Sequence, residues 1–387
     1  MVRVSALVGL GLAAVASAHP GHDVKAEAAE RAAALKGIRA RGVEQCSTQL
    51  AARGVEANNI ARREQTLKTL RKARGLDGHA PLLKARDLTP LNETHESDLV
   101  VDLAVDPEVL FSSGGSCVLA EDVTQGPYYV SGELIRNNLV EDQEGVPLYL
   151  DIQLIDSNSC EPVPDVYIDF WHCNSTGVYS GVVASGNGDS TDESNLDSTF
   201  LRGLQRTDTL GVASFHSLFP GHYTGRATHI HVLSHPANNT NVNRNNETIT
   251  DIYSSKSSHV GQIFFDQDLI TAVESVEPYA SNTQELTLNA DDSILLQELN
   301  SDIDPFVEYS LVGDDISEGV FAWITVVIDS SVSSDVSPAA YYTEEGGVEN
   351  ENSGMGMGGG GGGSGGPGGE MPSGGVPSGI PTGVPPS

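Results

Sequence analysis

Positive charge is scarce in most of this sequence. Beyond residue 90 there are 6 Lys and Arg against 45 Asp and Glu. A surface so acidic repels nucleic acid and anionic membranes, which excludes both as partners. Long apolar runs are lacking as well. The run at residues 6–15 is too short to cross a bilayer, and no later one is long enough. The C-terminus has no hydrophobic tail of the kind a lipid anchor needs. No alternation of strand-like and helix-like segments appears, so a doubly wound α/β sheet is excluded. Cysteine is limited to Cys46, Cys117, Cys160 and Cys173, which allow two disulfides in an oxidising compartment. Pairing Cys160 with Cys173 is poor, because a strand over 165–172 would hold the sulfurs more than about 20 Å apart. The other two pairings stay open.

What is present begins with "MVRVSALVGLGLAAVASAHPGHD". A basic start, an apolar run and a small-residue Ala16-Ser17-Ala18 site read as a signal peptide over 1–18. The expected location is therefore secreted and extracellular. Sequons at Asn92, Asn174, Asn238 and Asn246 agree and predict a glycoprotein. Residues 19–90 carry 14 Lys and Arg against 8 Asp and Glu and are rich in Ala and Leu. They read as a helical arm with an interruption near Gly37 or Gly42, an end at Gly54, and a second helix capped by Asn58 or Asn59. Such a basic arm is expected against the acidic body or against a second copy of it.

Residues 91–112 read as a linker. From 113 to 332 come short runs rich in β-branched and aromatic residues: "PLYLDIQLID", "DVYIDFWHC", "GVASFHSLF", "RATHIHVLS", "VGQIFF" and "GVFAWITVVID". Turn signals separate them. The fold class expected is mainly β, an antiparallel β-sandwich catalytic core with long loops, and a short helix or two over 275–305. Residues 333–387 end in Gly, Pro and Ser and read as a disordered low-complexity tail.

Chemistry concentrates in "FPGHYTGRATHIHVLSHP" at 219–236. In a strand, residues two apart share a face, so His229 and His231 present two imidazoles side by side. That is a frequent arrangement for a transition metal. A second stretch, "FWHCNSTGVYSG" at 170–181, brings a strand to a loop bearing Tyr179, and "PGHYTGR" supplies Tyr223. A phenol with a pKa of about 10 is a poor ligand. A hard trivalent ion can displace its proton and hold the phenolate. Two phenolates and two imidazoles suit ferric iron better than zinc or ferrous iron. His172 and His222 neighbour these positions. His172 is read as a core packing or hydrogen-bonding residue.

These stretches resemble the intradiol ring-cleavage dioxygenases, and in particular their extracellular fungal branch. The matching pieces are "GPYYVSGE" (126–133), "DFWHCNSTGVYS" (169–180), "FLRGLQRTDTLGVASF" (200–215), "FPGHYTGRATHIHV" (219–232) and "GQIFF" (261–265). The resemblance implies Fe(III) held by Tyr179, Tyr223, His229 and His231. It implies that Arg226 lines the substrate pocket and that Gln262 contacts the substrate ring. Tyr128 and Tyr129 become wall residues, and Tyr223 takes up a substrate proton. Where the family reads R-P-[SA]-H, this chain has Arg226-Ala227-Thr228-His229, losing a proline but no ligand. The activity implied uses a small aromatic diol and O2. It cleaves a catechol between its hydroxylated carbons to a cis,cis-muconate. In position, the helical arm resembles the dimer linkers of family members, which implies a homodimer through the N-terminal helices. Two other readings remain: a non-catalytic secreted β-sandwich that binds a ligand or wall component, and a ferrous oxygenase with two His and one carboxylate.

Overall fold

The computed structural model of the protein describes residues 43–76, 116–118, 128–236, 241–243, 248–250, 256–257, 259–300, 304–332 and 334–350. The expected signal peptide, the linker at 91–112 and the tail beyond 350 lie outside the described residues. Helices α1 (Val43–Ala52) and α2 (Val55–Ala73) come first. Strands β1 (Ser116–Val118), β2 (Val130–Ser131), β3 (Pro147–Asp156), β4 (Tyr167–Trp171), β5 (Arg202–Arg206), β6 (Val212–Leu218) and β7 (His229–His235) follow. Next are β8 (Asn241–Asn243), β9 (Thr248–Thr250), β10 (Lys256–Ser257) and β11 (His259–Phe264), then helices α3 (Gln267–Glu274) and α4 (Ser293–Leu299). The last strands are β12 (Glu308–Leu311), β13 (Val320–Ile328), β14 (Ser334–Asp335), β15 (Ala340–Thr343) and β16 (Gly346–Glu349). No helix among the described residues is long and apolar enough to cross a membrane.

Two sheets face each other. One has the order β11-β7-β4-β5 and is antiparallel throughout. The other has the order β1-β13-β3-β6, with β12 also on β13, and is mixed, because β13 runs parallel to both β1 and β3. Leu148, Leu150, Ile152, Phe215 and Ile324 meet Ile168, Phe170, Ile230 and Val232 in one core. Phe170 stacks on Phe215 across the gap with centroids 4.6 Å apart. Thus Phe170, Ile230 and Val232 point inward, and their odd-numbered neighbours face the other way. That outward face of the antiparallel sheet carries the site described below.

β13, "VFAWITVVI", is buried at every position and does not alternate. Its second face is covered by α2. Ile60 and Leu67 pack on Phe321 and Trp323, and the Arg63 guanidinium lies 5.3 Å from the Trp323 ring centre. Among the described residues, α2 thus packs on the body of its own chain. Arg62 pairs with Asp151 at 3.1 Å, and Cys46 is bonded to Cys160.

Four expectations are corrected. The second helix starts at Val55, not at Asn58 or Asn59. Asn59 is buried within it, donating to Gln153 Oε1 at 2.7 Å, a tertiary bond that overrides its capping preference. Cys173 is not in a disulfide: its thiol is buried and donates to the Gly221 carbonyl at 3.3 Å. Ordered structure also runs past 332. β14 pairs with β10, while β15 lies between β16 and β2, and Asn350 Nδ2 closes back on the Pro338 carbonyl at 2.7 Å. Finally, the second sheet is not antiparallel throughout: two of its pairings are parallel, because β1 and β3 both reach β13 by long connections.

Candidate metal centre

A row of side chains crosses all four strands of the antiparallel sheet: Arg202 on β5, Trp171 on β4, His231 on β7 and Gln262 on β11. Residues directly opposite in such a sheet share a face. His229 stands two residues from His231, beside Phe264. The His229 and His231 Nε2 atoms are 3.1 Å apart. His229 Nδ1 meets the Ala227 carbonyl at 2.6 Å, where only an N–H can satisfy the contact. Its Nε2 lone pair therefore faces the site. Trp171 stacks on the His231 ring, centroids 4.9 Å apart, and fixes its plane.

Both tyrosines sit on loops that interlock. After β4 the Asn174 side chain accepts the N–H groups of Thr176 and Val178 at 3.1 and 3.0 Å, curling the chain back. Its Nδ2 donates to Gln143 Oε1 at 3.1 Å, so this sequon's amide is tied into the loop. Tyr179 N–H donates to Asn187 Oδ1 at 2.7 Å, and Asn187 Nδ2 returns to the Tyr179 carbonyl at 2.8 Å. Arg202 clamps the next carbonyl, that of Ser180, through Nε at 2.9 Å and Nη2 at 2.7 Å. Glu133 lies 3.6 Å from Arg202 Nε. The second loop fits into the first without room for side chains. A Cβ on Gly177 would lie 2.3 Å from the His222 carbonyl oxygen. One on Gly221 would lie 2.5 Å from the carbonyls of Asn174 and Ser175.

The result brings four of the sequence-predicted side chains together. Tyr223 Oη is 3.3 Å from His229 Nε2. The Tyr179 ring is 5.7 Å from that of Tyr223 and 6.0 Å from that of His231. Tyr179 Oη is buried and makes no close hydrogen bond, with the Tyr223 hydroxyl as its polar neighbour. Burial lifts both phenols well above their ordinary range, and for Tyr179 the nearby Tyr223 adds to the effect. A buried phenol without a close hydrogen bond beside two converging imidazole nitrogens is unfavourable unless a cation completes it. Edges of 3.1 and 3.3 Å match neighbouring ligands around one ion bound at about 2.0–2.1 Å. The residues thus fit a metal, and a hard one, since two of the four donors are phenol oxygens. Among the described residues no group of three or more His, Cys, Asp or Glu is placed to hold a metal. The two-His, one-carboxylate reading therefore lacks its carboxylate there.

The remaining expected residues surround this set. Arg226 Nη2 donates to Gln262 Oε1 at 2.5 Å, and its Nε donates to Asp292 Oδ2 at 2.8 Å. The Tyr128 ring lies 4.9 Å from that of Tyr179, with its hydroxyl buried and unpartnered. Tyr129 packs on the Trp171 indole at 5.3 Å. His172 faces inward and bonds the Cys173 carbonyl at 2.7 Å and Ser217 Oγ at 2.8 Å, as a core residue does. His222 lies 2.8 Å from Glu274 Oε1 and 3.0 Å from the Gln284 carbonyl oxygen. Asn187, Arg202 and Asp292 were not singled out by the sequence. Of these only Asp292 leaves a local trace, an Asp before the apolar run "SILLQEL" that marks a helix start.

The dioxygenase family model matches residues 124–300, which contain all of these side chains. No curated protein matches the chain. Among solved structures, an intradiol ring-cleavage dioxygenase from Tetranychus urticae is 27% identical, over 56% of this chain and 96% of its own, with a TM-score of 0.42. The dioxygenase domain of a dioxygenase carbohydrate-binding fusion protein from Streptomyces sp. SirexAA-E is 21% identical, over 56% of this chain and 97% of its own, at 0.32. Catechol 1,2-dioxygenase from Acinetobacter sp. ADP1 is 17% identical, over 52% of this chain and 60% of its own, at 0.32.

Proposed function

We propose, from the match of residues 124–300 to the dioxygenase family model, that the protein is a non-haem Fe(III) enzyme cleaving catechol-type diols between their hydroxylated carbons. One observation carries the reading: Tyr179, Tyr223, His229 and His231 converge, with the Tyr179 hydroxyl buried and without a close hydrogen bond. Tyr179, Tyr223, His229 and His231 would hold the iron. Bound there, a ferric ion would supply the Lewis acidity for diol deprotonation and for the reaction of the ring with O2. The rest is done by the chain. His229, its Nδ1–H spent on Ala227, keeps a lone pair aimed inward. Trp171 holds the His231 plane against tilting. Tyr223 Oη, beside His229, is the phenol placed to take up a proton from the diol. Tyr128 walls the Tyr179 side with an aromatic face suited to a flat ring. The proposed products are cis,cis-muconate-type dicarboxylates. The N-terminal pattern of the sequence supports a secreted protein acting outside the cell.

The test is spectroscopic and kinetic together. Purified protein loaded with ferric iron should bind about one ion per chain. It should show a visible phenolate charge-transfer band and take up O2 with catechol. Tyr223→Phe should shift that band and cut the rate at least about a hundredfold. A colourless loaded protein that consumes no O2 with any catechol would leave the non-catalytic β-sandwich reading.

A further inference from the structure

Arg226 does not meet the site as a bare charge. Asp292 Oδ2 accepts from Arg226 Nε at 2.8 Å and from the Ala227 N–H at 2.7 Å. Oδ1 accepts from the N–H groups of Ile294 and Leu295 at 2.8 and 3.0 Å, which caps α4. One carboxylate, sealed from solvent, thus ties the start of a helix to the segment that leads into His229. Burial opposes its ionisation, yet Arg226 and the N–H groups of Leu295 and Ala227 push its pKa down to about 2. The pair is ionised and internally neutral.

The contact on the other side of Arg226 sets the direction of an amide. Its Nη2 donates to Gln262 Oε1 at 2.5 Å. A guanidinium offers only donors, so the amide oxygen must face it and the NH2 must face away. That Nε2 is buried and has no hydrogen-bond partner. Gln262 lies opposite His231 on the same face of the sheet. An unused donor therefore stands beside the converging ligands.

We infer that Asp292 is a positioning residue that cancels the charge of Arg226 and fixes it so that Gln262 presents its NH2 to the diol, selecting diols with uncharged ring substituents. This rests on the activity proposed above. An uncompensated buried arginine attracts a carboxylate strongly, because the alternative is a charge without a partner. With Asp292 in place that attraction is already spent. A carboxylate on the ring would lose its hydration and meet no unsatisfied cation at Arg226. A neutral substituent carries no such cost, and the diol oxygen gains the Gln262 donor.

The test compares 4-methylcatechol with 3,4-dihydroxybenzoate, which differ at one ring position, a neutral methyl in the first and a carboxylate in the second. Binding to the iron-loaded protein is measured by calorimetry under nitrogen, so turnover plays no part. The wild-type protein should bind the methyl diol at least about tenfold more tightly. Asp292→Asn keeps the size and a helix-capping oxygen but leaves Arg226 charged, and should move that ratio toward the carboxylate by about tenfold or more. Gln262→Met removes the donor and should weaken both diols by a similar factor. A ratio unmoved in Asp292→Asn, with melting unchanged, overturns the inference. If that variant does not fold, full-strength binding of both diols by Gln262→Met overturns it instead. Failure of the wild-type protein to bind either diol overturns the proposed function and this inference with it, whereas two bound diols with an unmoved ratio overturn this inference alone.

Discussion

The two phenols define the site's chemistry because each is held where it cannot ionise alone. Both are buried and raised well above the ordinary tyrosine range. Neutral imidazoles bring no proton to displace, so a metal that binds here must release protons from tyrosine. Loading metal-free protein from a ferric nitrilotriacetate complex near pH 7, with the chelator's own proton uptake subtracted, should therefore release about two protons per ion, measured by back-titration in weak buffer. A site made of two imidazoles and a carboxylate would release almost none, since its ligands are already deprotonated. Tyr179→Phe should bring the release down to about one. At this scale the sequence was most informative. His229 and His231 share a face by strand geometry alone, and Tyr179 and Tyr223 stand out on glycine-flanked loops. Asp292 was not legible as a site residue, because its partner Arg226 lies 66 positions away and only the fold brings them together.

The elements explain how loops hold such a set without wandering. The Tyr179 loop and the Tyr223 loop have no strand pairing between them. They are locked by glycines that let backbone touch backbone. Gly177 has φ +84, a conformation L side chains rarely adopt, and its missing Cβ makes room for the His222 carbonyl. Gly177→Ala should push the loops apart at their closest point while leaving both sheets intact. The expected outcome is at least about a tenfold loss of iron affinity, with far-ultraviolet circular dichroism unchanged. Native-like affinity in that variant would show that the loops do not depend on each other. Strand positions were legible because "PLYLDIQLID" and "RATHIHVLS" carry β-branched runs between turn signals. β13 was legible as a strand, but its cover was not. Its uniform apolar pattern fits any doubly buried strand, and nothing local says that α2 lies on it. β15 and β16 were missed because their few residues run into a Gly-rich stretch, and their order comes from β2 and from Asp197 Oδ1, which accepts the Gly347 N–H at 2.8 Å.

At the scale of the molecule, cations of the basic arm answer carboxylates of the acidic body among the described residues. Arg53, which also donates to the Cys160 carbonyl beside the Cys46–Cys160 bond, reaches Glu161, and Arg62 reaches Asp151, both pairs at 3.1 Å. The exposed pair contributes little, so acid sensitivity is set by buried groups. Burial depresses His259 to about 3, against the pull of Asp329 and Asp156, and His172 to about 4. A histidine with a depressed folded pKa stabilises the fold above its unfolded value of about 6.5, and that stability is lost as pH falls toward the folded pKa. Glu133 acts in the opposite sense. Burial raises it to about 8 against the pull of Arg202, so its contribution is present at low pH and lost as pH rises. The wild-type slope is therefore a sum of opposed terms, and a single substitution separates one of them. His259 Nε2 accepts the Asp329 N–H at 3.0 Å, a bond that the oxygen of His259→Gln can replace. Between pH 6 and 4, unfolding free energy from urea titrations should fall less steeply in this variant than in the wild type. The difference should be about 1.4 kcal/mol per pH unit, the linkage slope of one proton. Parallel slopes for the two proteins would mean that His259 takes up its proton as readily in the fold as in the unfolded chain, and that its burial does not govern acid stability.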